Sequence, residues 1–274
     1  MTLPEFSALL PFVILAAAPV AILIAAAVRQ VHAPALGWAA AGIVLSLVPV
    51  LGSRLAPQQV TPLLWIDGYG RFVVALLLMS GLFTLLLSSV YPGLQRERRE
   101  EFCILILTSL LGASCLACAA HFATLLLGLE LLSVSLYALI AYRPGDAWGG
   151  EAGIKYLILA GFSSAFLAFG SALLYAALGT MQFSALGAKL AAAEDMSTLV
   201  LAGTALVAVG VGFKLALVPF HMWVADVYQG APAPVTAFVA TVSKGAVFAF
   251  LLRFFLQADL PPGHPFAIFF VVVA

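Results

Sequence analysis

Val211 to Lys244 reads VGFKLALVPFHMWVADVYQGAPAPVTAFVATVSK. Two apolar runs flank a short segment rich in aromatic residues and proline, and each run carries one lysine, Lys214 or Lys244. In a soluble amphipathic helix, lysines sit on a solvated face opposite an apolar one. These runs are apolar on every face, which is the pattern of a buried or membrane-spanning helix. A charged side chain at the centre of a bilayer costs roughly 2.5–3.5 kcal/mol on insertion scales. The stretch therefore predicts two membrane helices, each holding an ionisable group that needs a reason to be there.

The rest of the chain agrees. Of its 274 residues, 64% are hydrophobic and 9% are charged, whereas a soluble domain carries about 25% charged residues. Such a chain cannot cover its surface with polar groups in water, which excludes a soluble enzyme, a nucleic-acid binder and a disordered protein. The 12 basic and 12 acidic residues balance, so no net field recruits nucleic acid or anionic lipid. Glycine and proline occur within the apolar runs, as membrane helices tolerate. The fold class is an all-α polytopic membrane protein whose solvent is the lipid bilayer.

Apolar windows of about 20 residues predict eight spans: Ser7–Val28, Pro34–Gly52, Arg71–Tyr91, Phe102–Ala119, Phe122–Tyr142, Gly153–Leu178, Thr198–Val218 with an extension to Gln229, and Pro234–Leu256. Pro265 to Ala274 is apolar and too short to cross, so the chain is expected to stop inside a ninth helix. Arg29, Arg96, Arg98, Arg99 and Arg143 fall in loops after odd-numbered spans. The positive-inside rule places those loops in the cytoplasm and the N-terminus outside.

Three ionisable residues lie deep in spans: Glu130 in GLELLSVSLYAL, Lys214 and Lys244. Lys155 enters span six near its end, in GIKYLIL, where its stem can reach water. Glu130, Ser133 and Tyr137 share one helix face by their spacing, and so do Lys214 with His221 and Thr241 with Lys244. Such stripes suit a proton relay; the alternative is a buried Glu–Lys pair that only fixes helix packing. Pro219 lacks an N–H, so a continuous helix would leave the Leu215 carbonyl unpaired beside Lys214. Broken helices at membrane depth line cavities and transport sites.

His221 could relay protons, because its ordinary pKa is near neutrality. His121 reads as interfacial, His32 and His264 as loop residues, and Asp67 and Arg71 as facing water at the start of span three. Cys115 and Cys118 form a CxxC inside an apolar run, with Cys103 nearby and no second ligand pair, so packing is expected rather than metal or redox chemistry. No glycine-rich phosphate loop or nucleophile elbow appears. The chain is expected to bind no cofactor and no metal of its own.

These segments resemble a known family. GLELLSVSLYAL, GIKYLILAGFSSAF, the Val211–Lys244 stretch and GAVFAFLLR are similar to the antiporter-like subunits of proton-pumping NADH:quinone oxidoreductase, complex I. DVYQGAPAPVTAF, Asp226–Phe238, is most similar to one subtype of these subunits. The resemblance implies an essential glutamate in the fifth helix (Glu130), a lysine near the start of the sixth (Lys155), a lysine in a discontinuous seventh (Lys214) and one in the eighth (Lys244). It implies residues 1–100 as three peripheral helices, 101–256 as the first of two inverted five-helix repeats and 257–274 as the start of helix nine, with the second repeat missing. It also implies a multi-pass place in a bacterial inner membrane among the other membrane subunits of complex I. NADH, FMN, iron–sulfur clusters and quinone would belong to partner subunits, and the enzyme would be a translocase. On that reading Lys214 carries the proton, Glu130 tunes it and Lys244 takes it onward, because an anion favours a lysine's charged form while desolvation favours its neutral one. The rivals are a Mrp-type sodium/proton antiporter subunit, an energy-converting hydrogenase subunit and a non-conducting membrane scaffold.

Overall fold

An apolar run in lipid can satisfy its backbone N–H and C=O groups only within a helix or a closed barrel. The computed structural model takes the first route and describes residues 3–29, 35–52, 56–92, 94, 99–192, 197–259 and 265–273. The elements in chain order are α1 (Leu3–Arg29), α2 (Ala35–Gly52), β1 (Gln58–Thr61), β2 (Leu64–Ile66), α3 (Gly68–Val90), α4 (Arg99–Ala117), α5 (Phe122–Ile140) and α6 (Ala147–Leu178). There follow α7 (Phe183–Ala192), α8 (Thr198–Leu215), α9 (Trp223–Gly230), α10 (Ala233–Phe238), a π-helical turn (Val239–Ser243), α11 (Lys244–Ala258) and α12 (Pro265–Val273). Among the described residues, eight helices are long and apolar enough to cross a membrane, with α10, the π turn and α11 counted as one. They match the eight spans expected. His32, Arg54, Arg96, Arg98 and His264 lie outside the described residues.

Local chemistry sets the boundaries. Asp67, Asp146 and Ser197 each accept a hydrogen bond from a backbone N–H in the first turn of α3, α6 and α8, which pairs one of the orphan donors there. The Asp146 cap starts α6 six residues before the expected Gly153. His121 caps α5 through Nδ1, 3.0 Å from the Ala123 N–H. That bond needs an unprotonated nitrogen, and burial pushes His121 below its ordinary pKa, in the same sense. At the other end of α6, Gly179 turns left-handed at φ 66° and closes the helix.

Two elements were not expected. β1 and β2 form an antiparallel hairpin, with Gln58 opposite Ile66 and Gln59 opposite Trp65. Short polar and aromatic stretches between long apolar runs give no period to read. The hairpin grips the α4–α5 junction: Trp65 N–H donates to Cys118 O at 2.9 Å, and Ala120 N–H donates to Leu63 O at 3.0 Å. On its other side the junction is bonded to the α6–α7 connection, from Phe183 N–H to Ala120 O. This patch joins the first three spans to the later ones at one end of the bundle. Buried Cys118 lies in it.

Lipid tails are as apolar as leucine, so helix pairs in a membrane are held by close packing. α4 with α5, and α6 with α8, form such pairs. A Cβ on Gly112 would come within 2.7 Å of the Gly128 carbonyl, and one on Gly170 within 2.8 Å of the Gly203 carbonyl. Only glycine permits these approaches, and they hold α5 and α8, which carry the candidate site, against their neighbours.

Candidate functional site

Lys214 sits near the C-terminal end of α8 and is 5% exposed. Its Nζ donates to Ser133 Oγ of α5 at 2.8 Å. Among the described residues it makes no ion pair. Ser133 and Tyr137 lie one turn apart on α5. Glu130, half-buried on the same helix, makes no salt bridge with Lys214 among the described residues. Of the Glu130–Ser133–Tyr137 stripe, Ser133 is the member in contact with Lys214.

α8 ends one residue after Lys214, by a different route from the one expected. Ala216 adopts the left-handed region at φ 59°. Its N–H bonds the Phe213 carbonyl at 3.0 Å, and the Leu217 N–H bonds the Gly212 carbonyl at 2.9 Å. This is the Schellman closure that glycine usually makes. The helix does not reach Pro219, so the proline leaves no carbonyl of an ongoing helix unpaired. Alanine is a strong helix former, and nothing in its identity marks Ala216 as the stop.

After the break, α9 returns the chain to the site. Trp223 is buried, donates through Nε1 to the Phe213 carbonyl at 3.2 Å and stacks on the Phe213 ring. Lys244 begins α11 directly after the π turn. Its ammonium lies 5.3 Å from the Tyr228 ring centroid and 6.0 Å from that of Trp223, in cation–π range. Single π turns inside α-helices recur at functional sites. The turn also changes which residues face inward: Thr241, expected beside Lys244, is exposed and bonds its own helix at Ala237 O, whereas Ser243 is buried.

The other candidates stand apart. The break abolishes the helical spacing of Lys214 and His221, and His221 is exposed in the connecting turn. Lys155 is 42% exposed and pairs with Glu151 and Asp226, both at 2.7 Å. It ties α6 to α9 at the bundle end and pairs with neither Lys214 nor Lys244.

Sequence reasoning missed a second buried cation. Arg253 of α11 is 2% exposed. It meets Asp67 through Nη2 at 2.7 Å and Nη1 at 3.3 Å, the Ala117 carbonyl through Nε at 2.7 Å, and the Tyr69 ring at 5.2 Å. Asp67 was expected to face water. It turns inward because it caps α3 and neutralises this guanidinium together. An arginine five residues before the end of an apolar helix was the available signal, since such a charge must find a partner.

Three comparisons bear on the chain. Residues 119–274 match the family model described as NADH:quinone oxidoreductase/Mrp antiporter, transmembrane. The chain is 48% identical over 268 residues to NADH-quinone oxidoreductase subunit N of Methylococcus capsulatus, covering 97% of this chain and 54% of the relative. It is 49% identical over 268 residues to the protein of that name from Nitrosospira multiformis, covering 96% and 53%. That subtype is the one Asp226–Phe238 pointed to. The chain spans about half the length of the curated relatives it matches. Its fold matches a chain of respiratory complex I from Thermus thermophilus with a TM-score of 0.75 at 36% identity, covering 92% of this chain and 54% of that one. A chain of an archaeal membrane-bound sulfane sulfur reductase shares the fold with the same TM-score at 24% identity, covering 93% and 54%.

Proposed function

Because the chain belongs to the NADH:quinone oxidoreductase/Mrp antiporter transmembrane family, we propose that it is a proton-translocating membrane part of an NADH:quinone oxidoreductase. The redox chemistry of NADH, FMN, iron–sulfur clusters and quinone takes place in partner subunits, and the chain moves protons through its buried side chains. α1–α3 flank the working part, which runs from α4 to α11 as the first of two repeats. The protein lies in a bacterial inner membrane, with its N-terminus outside.

One observation carries the reading: Lys214 is buried against a neutral hydroxyl and makes no ion pair among the described residues. A structural cation in lipid is paired. A lysine left on a hydroxyl is poised between burial and the field of Glu130, which act on its charge in opposite senses. Lys214 loads and releases the proton, Glu130 sets the balance and Lys244 receives the proton across the aromatic wall of α9. Lys155 and His221 stand nearer the aqueous end and serve as supply.

The test is Lys214→Ala in the full-length subunit within its membrane complex, reconstituted in sealed vesicles. NADH-driven acidification is expected to fall roughly a hundredfold or more, as when a positioned proton-transfer group is removed. Normal pumping by an assembled Lys214→Ala complex would remove Lys214 from the path.

A further inference from the structure

His121 is half-buried at the α4–α5 junction and has no part in the path proposed above. It stands where the hairpin, this junction and the α6–α7 connection meet. The hairpin bonds the junction through Trp65 and Leu63. Phe122 N–H donates to the Met181 carbonyl, and Phe183 N–H donates back to the Ala120 carbonyl. Thr124 Oγ1, in the first turn of α5, donates to the Leu63 carbonyl at 2.7 Å. The remaining tie is the cap, from the Ala123 N–H to His121 Nδ1 at 3.0 Å. Of these bonds, only the cap uses a group that titrates near neutral pH.

Protonation works against this cap in two ways. An imidazolium donates at both nitrogens and accepts at neither, so the Ala123 N–H loses its partner. It also adds positive charge at a helix N-terminus, where the macrodipole is already positive. Burial holds His121 below its ordinary pKa, so the cap is whole above about pH 6.5 and is lost as pH falls through the lower, folded value. Water comes close to the junction. A cavity of about 320 Å³ lies beside it, lined by Ala120 and by Gln182, the backbone-bridge partner of His121. The chain at 58–66 and 179–182 holds no charged side chain. Of the elements packed around the junction, α3 contributes Asp67, Tyr69 and Arg71, and α4 the thiols of Cys115 and Cys118. α7 contributes Lys189, bonded to the Leu178 carbonyl, and α11 contributes Asp259 and Arg253, the latter neutralised by Asp67.

We infer that His121 is a pH-sensing cap: acid on the outer face opens the first turn of α5 and slows the pump that delivers protons to that face. This rests on the function and orientation proposed above. The imidazole takes one proton from outer water, and the Ala123 N–H turns to water in its place. The change reaches the site because α5 carries Ser133, which accepts from the Lys214 ammonium. α5 also lies on α4 with backbone against backbone at Gly112 and Gly128. A helix packed so closely moves as a rod, because a dense interior transmits displacement. Loosening of its first turn is therefore felt at Ser133.

The experiment uses the full-length subunit in its complex, in inverted vesicles whose lumen meets the outer face. Lumens are loaded at about pH 7.5 or about pH 5, on either side of the histidine range, with the medium kept neutral. Hydrogen exchange of the 121–125 segment and NADH-driven pumping are read for the parent and for His121→Asn, whose amide caps well without titrating. With a neutral lumen the two should match. With an acid lumen, exchange should be faster in the parent, and its pumping should fall roughly fivefold below the variant's, the scale of one lost cap. The opposing gradient and the intrinsic pH dependence of exchange are common to both and cancel. His121→Ser, another good cap, should behave as His121→Asn does and replaces it if assembly is poor. Equal exchange in parent and variant at the acid lumen overturns the sensor. Faster exchange with equal pumping overturns its control of the pump. Failure of the proposed path shows instead as normal pumping by Lys214→Ala, which leaves the exchange comparison unaffected.

Discussion

Arg253, near the end of α11, and Lys214, near the end of α8, are buried cations, 2% and 5% exposed. Arg253 is surrounded by partners: both Asp67 oxygens, the Ala117 carbonyl and the Tyr69 ring. Tyr69 in turn donates to the Ala249 carbonyl of α11 at 2.9 Å. Among the described residues, Lys214 has a single hydroxyl. The residue types fit the two environments. A guanidinium stays charged and matches a carboxylate with its fork, whereas an ammonium gives up its proton readily when buried. The Arg253 cluster pins the C-terminal part of α11 to the start of α3 and the end of α4, whereas Lys214 is held by one hydroxyl among the described residues. Location alone does not make an intramembrane charge functional; its partners decide.

The sharpest attempt to break this contrast exchanges the two chemistries. Lys214→Arg keeps the positive charge and the bond to Ser133 but cannot release a proton at physiological pH. Assembly is expected to survive, with pumping lost as fully as in Lys214→Ala. If Lys214→Arg pumps, the ammonium at that position is not a carrier and the two cations are alike.

Arg253→Ala is expected to act the other way. It leaves Asp67 partly buried without its counter-charge, and removing one partner of a buried pair costs about 3 kcal/mol or more. Asp67 retains some access to water, which places the effect at the low end. The expected result is less assembled protein and a lower unfolding temperature in detergent. Acidification per NADH by the molecules that assemble should be unchanged. Asp67→Asn combined with Arg253→Met, which removes both charges, should recover part of the stability. A pumping defect in assembled Arg253→Ala would place this cluster in the proton path.

Much of this contrast could be read beforehand, and the part that could not has a physical cause. Length and apolarity located the eight spans, because lipid leaves the backbone few choices. Glu130, Lys214 and Lys244 stood out because charge is costly there. The pairing of Arg253 with Asp67 could not be read, since it joins residues 186 apart in the chain and depends on how α3 meets α11. The stop at Ala216 was hidden because its cause is backbone bonding rather than side-chain identity.

Lys155 gives a milder test. It is exposed and paired with Glu151 and Asp226, and exposed pairs contribute little to stability. Lys155→Ala should leave assembly intact and lower pumping far less than Lys214→Ala does, with the loss reduced at low external pH where protons are plentiful. If it abolishes pumping while Lys214→Ala spares it, exposure and partnering are poor guides to function in this bundle.

The smallest expected effect concerns the break that follows Lys214. Ala216 is held at φ 59°, where an L-residue incurs roughly 1–2 kcal/mol because its Cβ crowds the following carbonyl. Glycine removes that crowding, offset by about 0.5–1 kcal/mol for its freedom in the unfolded chain. Ala216→Gly should therefore raise stability slightly, by under about 1 kcal/mol, whereas Ala216→Val should lower it. The bonds from Leu217 to Gly212 and from Ala216 to Phe213 are made by the backbone and survive either change. The end of α8, and with it the reach of Lys214 to Ser133, should then stay in place, and pumping by Ala216→Gly should match that of the parent. A glycine variant that is more stable but pumps less would show that the stiffness of alanine at the break, and not only its geometry, holds Lys214 at its working position. Lys214 would then resemble Arg253 in depending on a rigid mount.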